Sequence, residues 1–119
     1  MADQAALFHS MIAQVATGQG TFKESSEQGK FLMETVRQLP EEVKLDCLKA
    51  YLDVILRDSF NIVAARQYCT EFANTVHLLN CEIQKQIIPY ALEKMQSRVI
   101  SFEDQVKFHK ICSFTFFYL

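Results

Sequence analysis

The chain has 119 residues, half of them apolar, and a formal net charge of −2. A chain of this length forms one domain, and a composition with only three glycines and two prolines favours helices over an all-β sandwich or a disordered tail. The lysines and arginines are scattered among acidic residues. Surfaces that bind phosphates need clustered positive charge, so we expect no nucleic-acid partner.

The N-terminal stretch carries Asp3 and lacks the basic region of a secretory signal. No apolar run approaches the roughly 20 residues that span a bilayer, so we expect no membrane contact and place the chain inside the cell. The cysteines form no Cys-x-x-Cys pair, and we interpret them as reduced thiols on helix faces. They are Cys47, Cys69, Cys81 and Cys112.

Apolar residues recur at steps of three and four between short breaks, and this pattern predicts about six helices. Their predicted ranges are 3–16, 24–38, 41–57, from a Ser59 cap to about 78, 81–98, and from a Ser101 cap onward. Helices joined by short breaks favour antiparallel neighbours. The predicted fold class is therefore all-α, made of antiparallel helical hairpins or irregular helical repeats. The sequence does not distinguish between an array of helical repeats and a helix bundle.

The two prolines lie in two of these helices. Pro40 suits the first position of the third helix, because its missing N–H would be unpaired there anyway. Pro89 lies inside the fifth helix, where we expect a kink or a late start.

Candidate core residues follow the same periodicity. The clearest apolar stripe is Val43, Cys47, Tyr51 and Ile55 in the third helix. Four aromatic residues are predicted to lie in the core: Phe31, Tyr51, Tyr68 and Phe72. Phe60 and Tyr90 are interpreted either as core or as an exposed contact, with core preferred.

No residue pattern indicates catalysis. The histidines, His9, His77 and His109, fall on different predicted helices without metal-ligand spacing. Cys69 or Cys112 beside a histidine would lack a third orienting group and a glycine-rich oxyanion turn. Four glutamates are interpreted as solvated faces: Glu34, Glu71, Glu82 and Glu93. We therefore expect that the chain is not an enzyme and that it has no catalytic, cofactor-binding or metal-binding residue.

The stretch "LEKMQSRVISFEDQV", Leu92–Val106, resembles the corresponding segment of the subunit 4 family of the COP9 signalosome. The resemblance extends backward through "LDCLKAYLDVIL", Leu45–Leu56, and "IVAARQYCTEFA", Ile62–Ala73, and covers roughly residues 24–107. In that family this segment belongs to an N-terminal arm of helical repeats, which is followed by a PCI module. The resemblance therefore implies one helical-repeat domain over residues 1–119.

The function implied by the resemblance is that of a non-catalytic scaffold. The complex deneddylates cullins, and its zinc site belongs to another subunit. Implied partners are the other signalosome subunits and cullin–RING ligase components, in the cytoplasm and nucleus. A different interpretation is a free-standing helical adaptor that binds a partner helix in a groove between its own helices.

The chain departs from the family at several points. Ser97 stands where a proline is expected, and Pro89 where the family helix has none. After Val106 the chain reads "KFHKICSFTFFYL". We expect a truncated or alternatively ended product without a PCI module, in which residues 108–119 form a divergent tail. Its aromatic residues either self-associate or close the last helix against the core; they are Phe114, Phe116, Phe117 and Tyr118.

Overall fold

The computed structural model describes residues 2–15, 22–57 and 60–97. Within these ranges the chain forms five α-helices and no strand, which confirms the predicted all-α class. They are α1 (Ala2–Gln14), α2 (Phe22–Gln38), α3 (Glu41–Ile55), α4 (Ile62–Val76) and α5 (Cys81–Ser97). The predicted sixth helix and the aromatic tail, together with His109 and Cys112, lie outside the described residues.

The helices form two layers. The most extensive packing joins helices that are two apart in the chain: α2 with α4, α3 with α5, and α1 with α3. α3 and α5 run parallel, because Glu41 at the start of α3 contacts Asn80 just before α5, whereas Asp53 near the end of α3 contacts Tyr90 and Lys94. One layer is therefore α1–α3–α5 and the other α2–α4. This is the arrangement of a stack of helical repeats, in which each hairpin packs on the next.

The core lies between the layers and is centred on α3. Five apolar side chains of α3 are fully buried and lie at helical spacing: Cys47, Leu48, Tyr51, Leu52 and Ile55. The predicted stripe is confirmed at Cys47, Tyr51 and Ile55, whereas Val43 is only half-buried. Tyr68 and Phe72 of α4 are buried as predicted, and Phe60 is core.

Two predicted features of helix starts, at Pro40 and at Ser59, differ from the observed ones. Pro40 is the N-cap of α3 rather than its first helical residue, since its ψ of 145° is extended. α4 is capped by Asn61 and not by Ser59, because the Asn61 side chain accepts hydrogen bonds from two backbone amides of the first turn. α5 begins at Cys81, as the predicted range 81–98 has it, and runs through Pro89, so of the two alternatives at Pro89 the late start is wrong.

Phe31 was expected in the core but is 59% exposed. The buried face of α2 instead runs through Ser25, Gly29, Leu32 and Val36, at steps of four, three and four. The small side chains at 25 and 29 allow α4 to approach closely, and an ideal Cβ on Gly29 would lie 2.9 Å from Cγ of Glu71. Phe31 lies off this face. Among the described helices, none is long and apolar enough to cross a membrane.

Candidate protein-interaction surfaces

Among the described residues, the groups that could support catalysis do not converge. His9 on α1 and His77 after α4 are both exposed, and the part of the chain that the structure describes contains no cluster of three or more potential metal ligands. Cys69 is buried in the core, whereas His77 is exposed to solvent. Burial, together with the charge of Asp46, raises the pKa of the Cys47 thiol. A nucleophilic thiol needs the opposite shift.

Glu71 was expected on a solvated face but is buried at the contact between α2 and α4. Its Oε2 atom accepts hydrogen bonds from Oγ of Ser26 at 3.4 Å and from Nε2 of Gln67 at 3.3 Å. Gly29 packs against its aliphatic stem. These contacts give the carboxylate partners from both helices, so its role in this structure is to join α2 to α4.

A polar cluster lies where α3 meets α5. The Tyr90 hydroxyl donates to Oδ1 of Asp53 at 2.5 Å, and Nζ of Lys94 lies 3.2 Å from the same oxygen. The ammonium groups of Lys49 and Lys94 each lie 5.4 Å from the centroid of the Tyr90 ring, within range of a cation–π contact. These four side chains contact one another, so the cluster joins the two helices.

An open groove of about 520 Å³ lies beside the N-terminal half of α2. We call it the α2 groove. Its lining from α2 is Glu24, Ser25, Glu27, Gln28 and Phe31. The rest comes from Gln14 and Val15 at the end of α1 and from Tyr68 of α4. The volume falls in the range of sites that hold a small molecule or an anchoring side chain.

Sequence reasoning missed the α2 groove. Phe31 was predicted to lie in the core because an apolar residue in a helical pattern is usually buried. Its neighbour Leu32 is also apolar, and the pattern of apolar residues alone did not show which of the two belongs to the buried face of α2. A usable signal was present: Gly29 and Ser25 continue the Leu32–Val36 face at helical spacing. That spacing places Phe31 outside the buried face.

Comparison with known proteins identifies relatives that are named COP9 signalosome complex subunit 4. COP9 signalosome complex subunit 4 of Emericella nidulans is 39% identical over 74 residues, which are 62% of this chain and 18% of that protein. The Arabidopsis thaliana subunit 4 is 34% identical over 92 residues, 76% of this chain and 22% of that protein. The chain is a partial match to COP9 signalosome subunit 4. The Drosophila melanogaster subunit 4 agrees, with 29% identity over 93 residues.

The match has a limited extent. The aligned segment spans only 23% of the fly subunit 4, and similar shares of the fungal and plant proteins. No protein-family model matches the chain. The likeness to subunit 4 that residues 24–107 indicated is therefore confirmed as similarity to a part of that protein.

Proposed function

We propose that the chain acts as a non-catalytic scaffold segment of the COP9 signalosome, working through protein–protein contacts. The observation that carries the proposal is the similarity to subunit 4 from a fly, a fungus and a plant. In this proposal residues 1–119 form one helical-repeat domain, and its partners are other signalosome subunits and cullin–RING ligase components. The complex they form deneddylates cullins, and the chain is found in the cytoplasm and nucleus.

The two-layer stack of helices supports this role. Helical repeats present long surfaces on which other proteins assemble. After the first residue of α5, Cys81, which is also exposed, its described exposed positions recur at steps of three and four along one side of the helix; they are Glu82, Lys85, Gln86, Pro89 and Glu93. This mostly polar stripe is compatible with a non-obligate protein–protein interface, because such interfaces are about as polar as the rest of a protein surface.

The test is affinity purification of the tagged 119-residue chain from lysate of its own cells, with the bound proteins identified by mass spectrometry. We expect enrichment of signalosome subunits or cullin–RING components. The matched control is Tyr51→Asp, which puts a charge in the fully buried core and unfolds the chain. Partners that depend on the fold are lost with this control. A folded chain that enriches neither group contradicts the proposal.

A free-standing adaptor is the second candidate, and the observation that favours it is the α2 groove with its exposed Phe31. An adaptor of this kind forms a complex with one partner and needs no signalosome subunit. Native mass spectrometry of the purified complex separates the two functions. A one-to-one complex with a protein from outside the signalosome indicates the adaptor, whereas several signalosome subunits in one assembly indicate the scaffold.

A further inference from the structure

The α2 groove combines an exposed aromatic ring with a buried one. Phe31, which is 59% exposed, and Tyr68, which is 4% exposed, both line the groove. A large aromatic side chain exposed at this level gains stability only when something covers it. The tight contact of Gly29 with Glu71 and Tyr68 holds α2 against α4, so the two rings are carried on helices that are packed together.

Among the residues that the structure describes, the charged side chains of the groove have one sign: Glu24 and Glu27 line it, and no described lysine, arginine or histidine does. Glu27 is exposed, and within the described ranges no ion pair involves its carboxylate. Residues 27 and 31 are four apart on α2, so this carboxylate lies one helical turn from the Phe31 ring on the same face. Glu24 lies in the first turn of α2, where a negative charge offsets the positive end of the helix dipole.

We propose that the α2 groove binds an arginine side chain presented by a segment of a partner protein. A guanidinium is planar, so it stacks on an aromatic ring such as Phe31 while it donates hydrogen bonds to a carboxylate such as that of Glu27. The amide oxygens of Gln14 and Gln28 are further acceptors along the same groove. A lysine carries a compact ammonium with no planar face and satisfies only the charge.

This inference deepens the proposed function, because it names the chemistry of one contact that the scaffold makes. It rests on that function only in taking the partner to be a protein. Peptide binding by the purified chain tests the groove alone, and affinity purification tests membership of the complex. A failure of one is therefore distinguishable from a failure of the other.

The experiment is an NMR titration of the ¹⁵N-labelled 119-residue chain with a short Gly/Ser/Ala peptide that carries one central arginine. Three sister peptides replace that arginine by citrulline, lysine or alanine. Citrulline keeps the planar shape of arginine and removes its charge. We expect the arginine peptide to shift amide signals around Glu27 and Phe31, and the citrulline peptide to bind at least about tenfold more weakly.

Two substitutions and two matched controls locate the site. Phe31→Ala weakens binding of the arginine peptide roughly fivefold, and Glu27→Gln weakens it roughly threefold and flattens its dependence on salt. The control for Phe31 is Leu78→Ala, which truncates a side chain of similar exposure, 55%, outside the groove. The control for Glu27 is Glu34→Gln, an exposed acid further along α2. All four positions are exposed, so the variants keep the fold, and circular dichroism verifies it.

Four results would overturn the inference. Equal binding of the arginine and citrulline peptides would show that the positive charge does not contribute to binding, and equal binding of the arginine and alanine peptides would show that the central side chain does not contribute at all. Loss of binding in the control variants as large as in Phe31→Ala would place the site elsewhere. Sedimentation provides the fourth: a dimer that Glu27→Gln dissociates would show that a second copy of this chain, rather than a partner protein, fills the groove.

Discussion

The hydroxyl of Tyr51 donates a hydrogen bond of 2.6 Å to the backbone carbonyl oxygen of Tyr68 inside the core. The Tyr51 ring is fully buried, stacks on Phe72 at a centroid distance of 6.5 Å and meets the Tyr68 ring edge-on at 6.1 Å. Burial raises the pKa of Tyr51 well above its usual value, so the hydroxyl stays protonated and keeps donating. One side chain thus links α3 to α4 through both apolar and polar contacts.

Tyr51→Phe removes the hydroxyl and keeps the ring. We expect the free energy of unfolding to fall by about 1 kcal/mol, the usual net value of one buried hydrogen bond. Tyr51→Ala also removes the ring and should cost about 3–5 kcal/mol through the cavity it leaves. Urea unfolding followed by circular dichroism measures both. If Tyr51→Phe were as stable as the parent chain, the Tyr51–Tyr68 hydrogen bond would have no role in stability.

The contact between Tyr90 and Asp53 predicts a dependence on alkaline pH. Burial, then the hydrogen bond to Asp53, then the negative charges of Asp53 and Glu93 raise the pKa of Tyr90 to about 12. The ordinary tyrosine value is about 10. The folded state therefore holds this proton more tightly than the unfolded state does. The resulting stabilisation is complete below about pH 10 and is lost as the pH rises from about 10 to 12.

Asp53→Asn should lower the pKa of Tyr90 toward its ordinary value, because it removes the charge that disfavours the tyrosinate. Ultraviolet absorbance of tyrosinate in an alkaline titration, with Tyr90→Phe subtracted, measures that pKa. Glu93→Gln is the control and should lower it less, since Glu93 is the smallest of the named causes. A Tyr90 that titrates alike in the parent and in Asp53→Asn would contradict the proposed cause.

Gly29→Ala tests the close approach of α2 and α4. Alanine is the better helix former by up to about 1 kcal/mol, but its Cβ would lie 2.9 Å from Cγ of Glu71 and 3.3 Å from Cδ1 of Tyr68. Glu71 is held by Ser26 and Gln67, so its side chain does not move aside freely. We expect a net loss of about 1–2 kcal/mol from overpacking.

A double-mutant cycle separates these two effects on stability. In a Glu71→Ala background the nearest atom to the new Cβ is gone, so Gly29→Ala should become neutral or stabilising. Thermal or urea unfolding of the four chains gives the coupling free energy. An equal loss in both backgrounds would mean that contact with Glu71 is not the reason glycine is needed at position 29.

Asn61→Ala tests the observed start of α4. The Asn61 side-chain oxygen accepts from the backbone N–H of Val63 at 2.9 Å and of Ala64 at 3.1 Å. Its removal leaves two amides of the first turn without this partner, and we expect a loss of about 1 kcal/mol in the free energy of unfolding. Ser59→Ala is the control and should have a smaller effect, because Asn61 is the cap. The reverse order would restore the start that the sequence predicted.

The sequence was sufficient to predict the helices because the residue patterns that start, continue and end a helix are local. Apolar residues at steps of three and four, and breakers such as Asn80 and Pro40, act within one or two turns of chain. The same local signals predicted that Tyr51 and Phe72 would be buried. They misplaced the cap of α4, since Ser59 and Asn61 are both acceptable cap residues and only the position of the first helical turn distinguishes them.

The sequence by itself determined the all-α class, the helix order, most of the α3 stripe and the likeness to subunit 4. Tertiary structure decided the two-layer stack, the burial of Glu71 and the exposure of Phe31. The physical reason is distance along the chain: Ser26 and Glu71 are separated by 45 residues, and no local pattern brings them together. The position and orientation of a helix that is distant in the chain decide whether a charged side chain such as that of Glu71 is buried and whether a large apolar one such as that of Phe31 stays exposed.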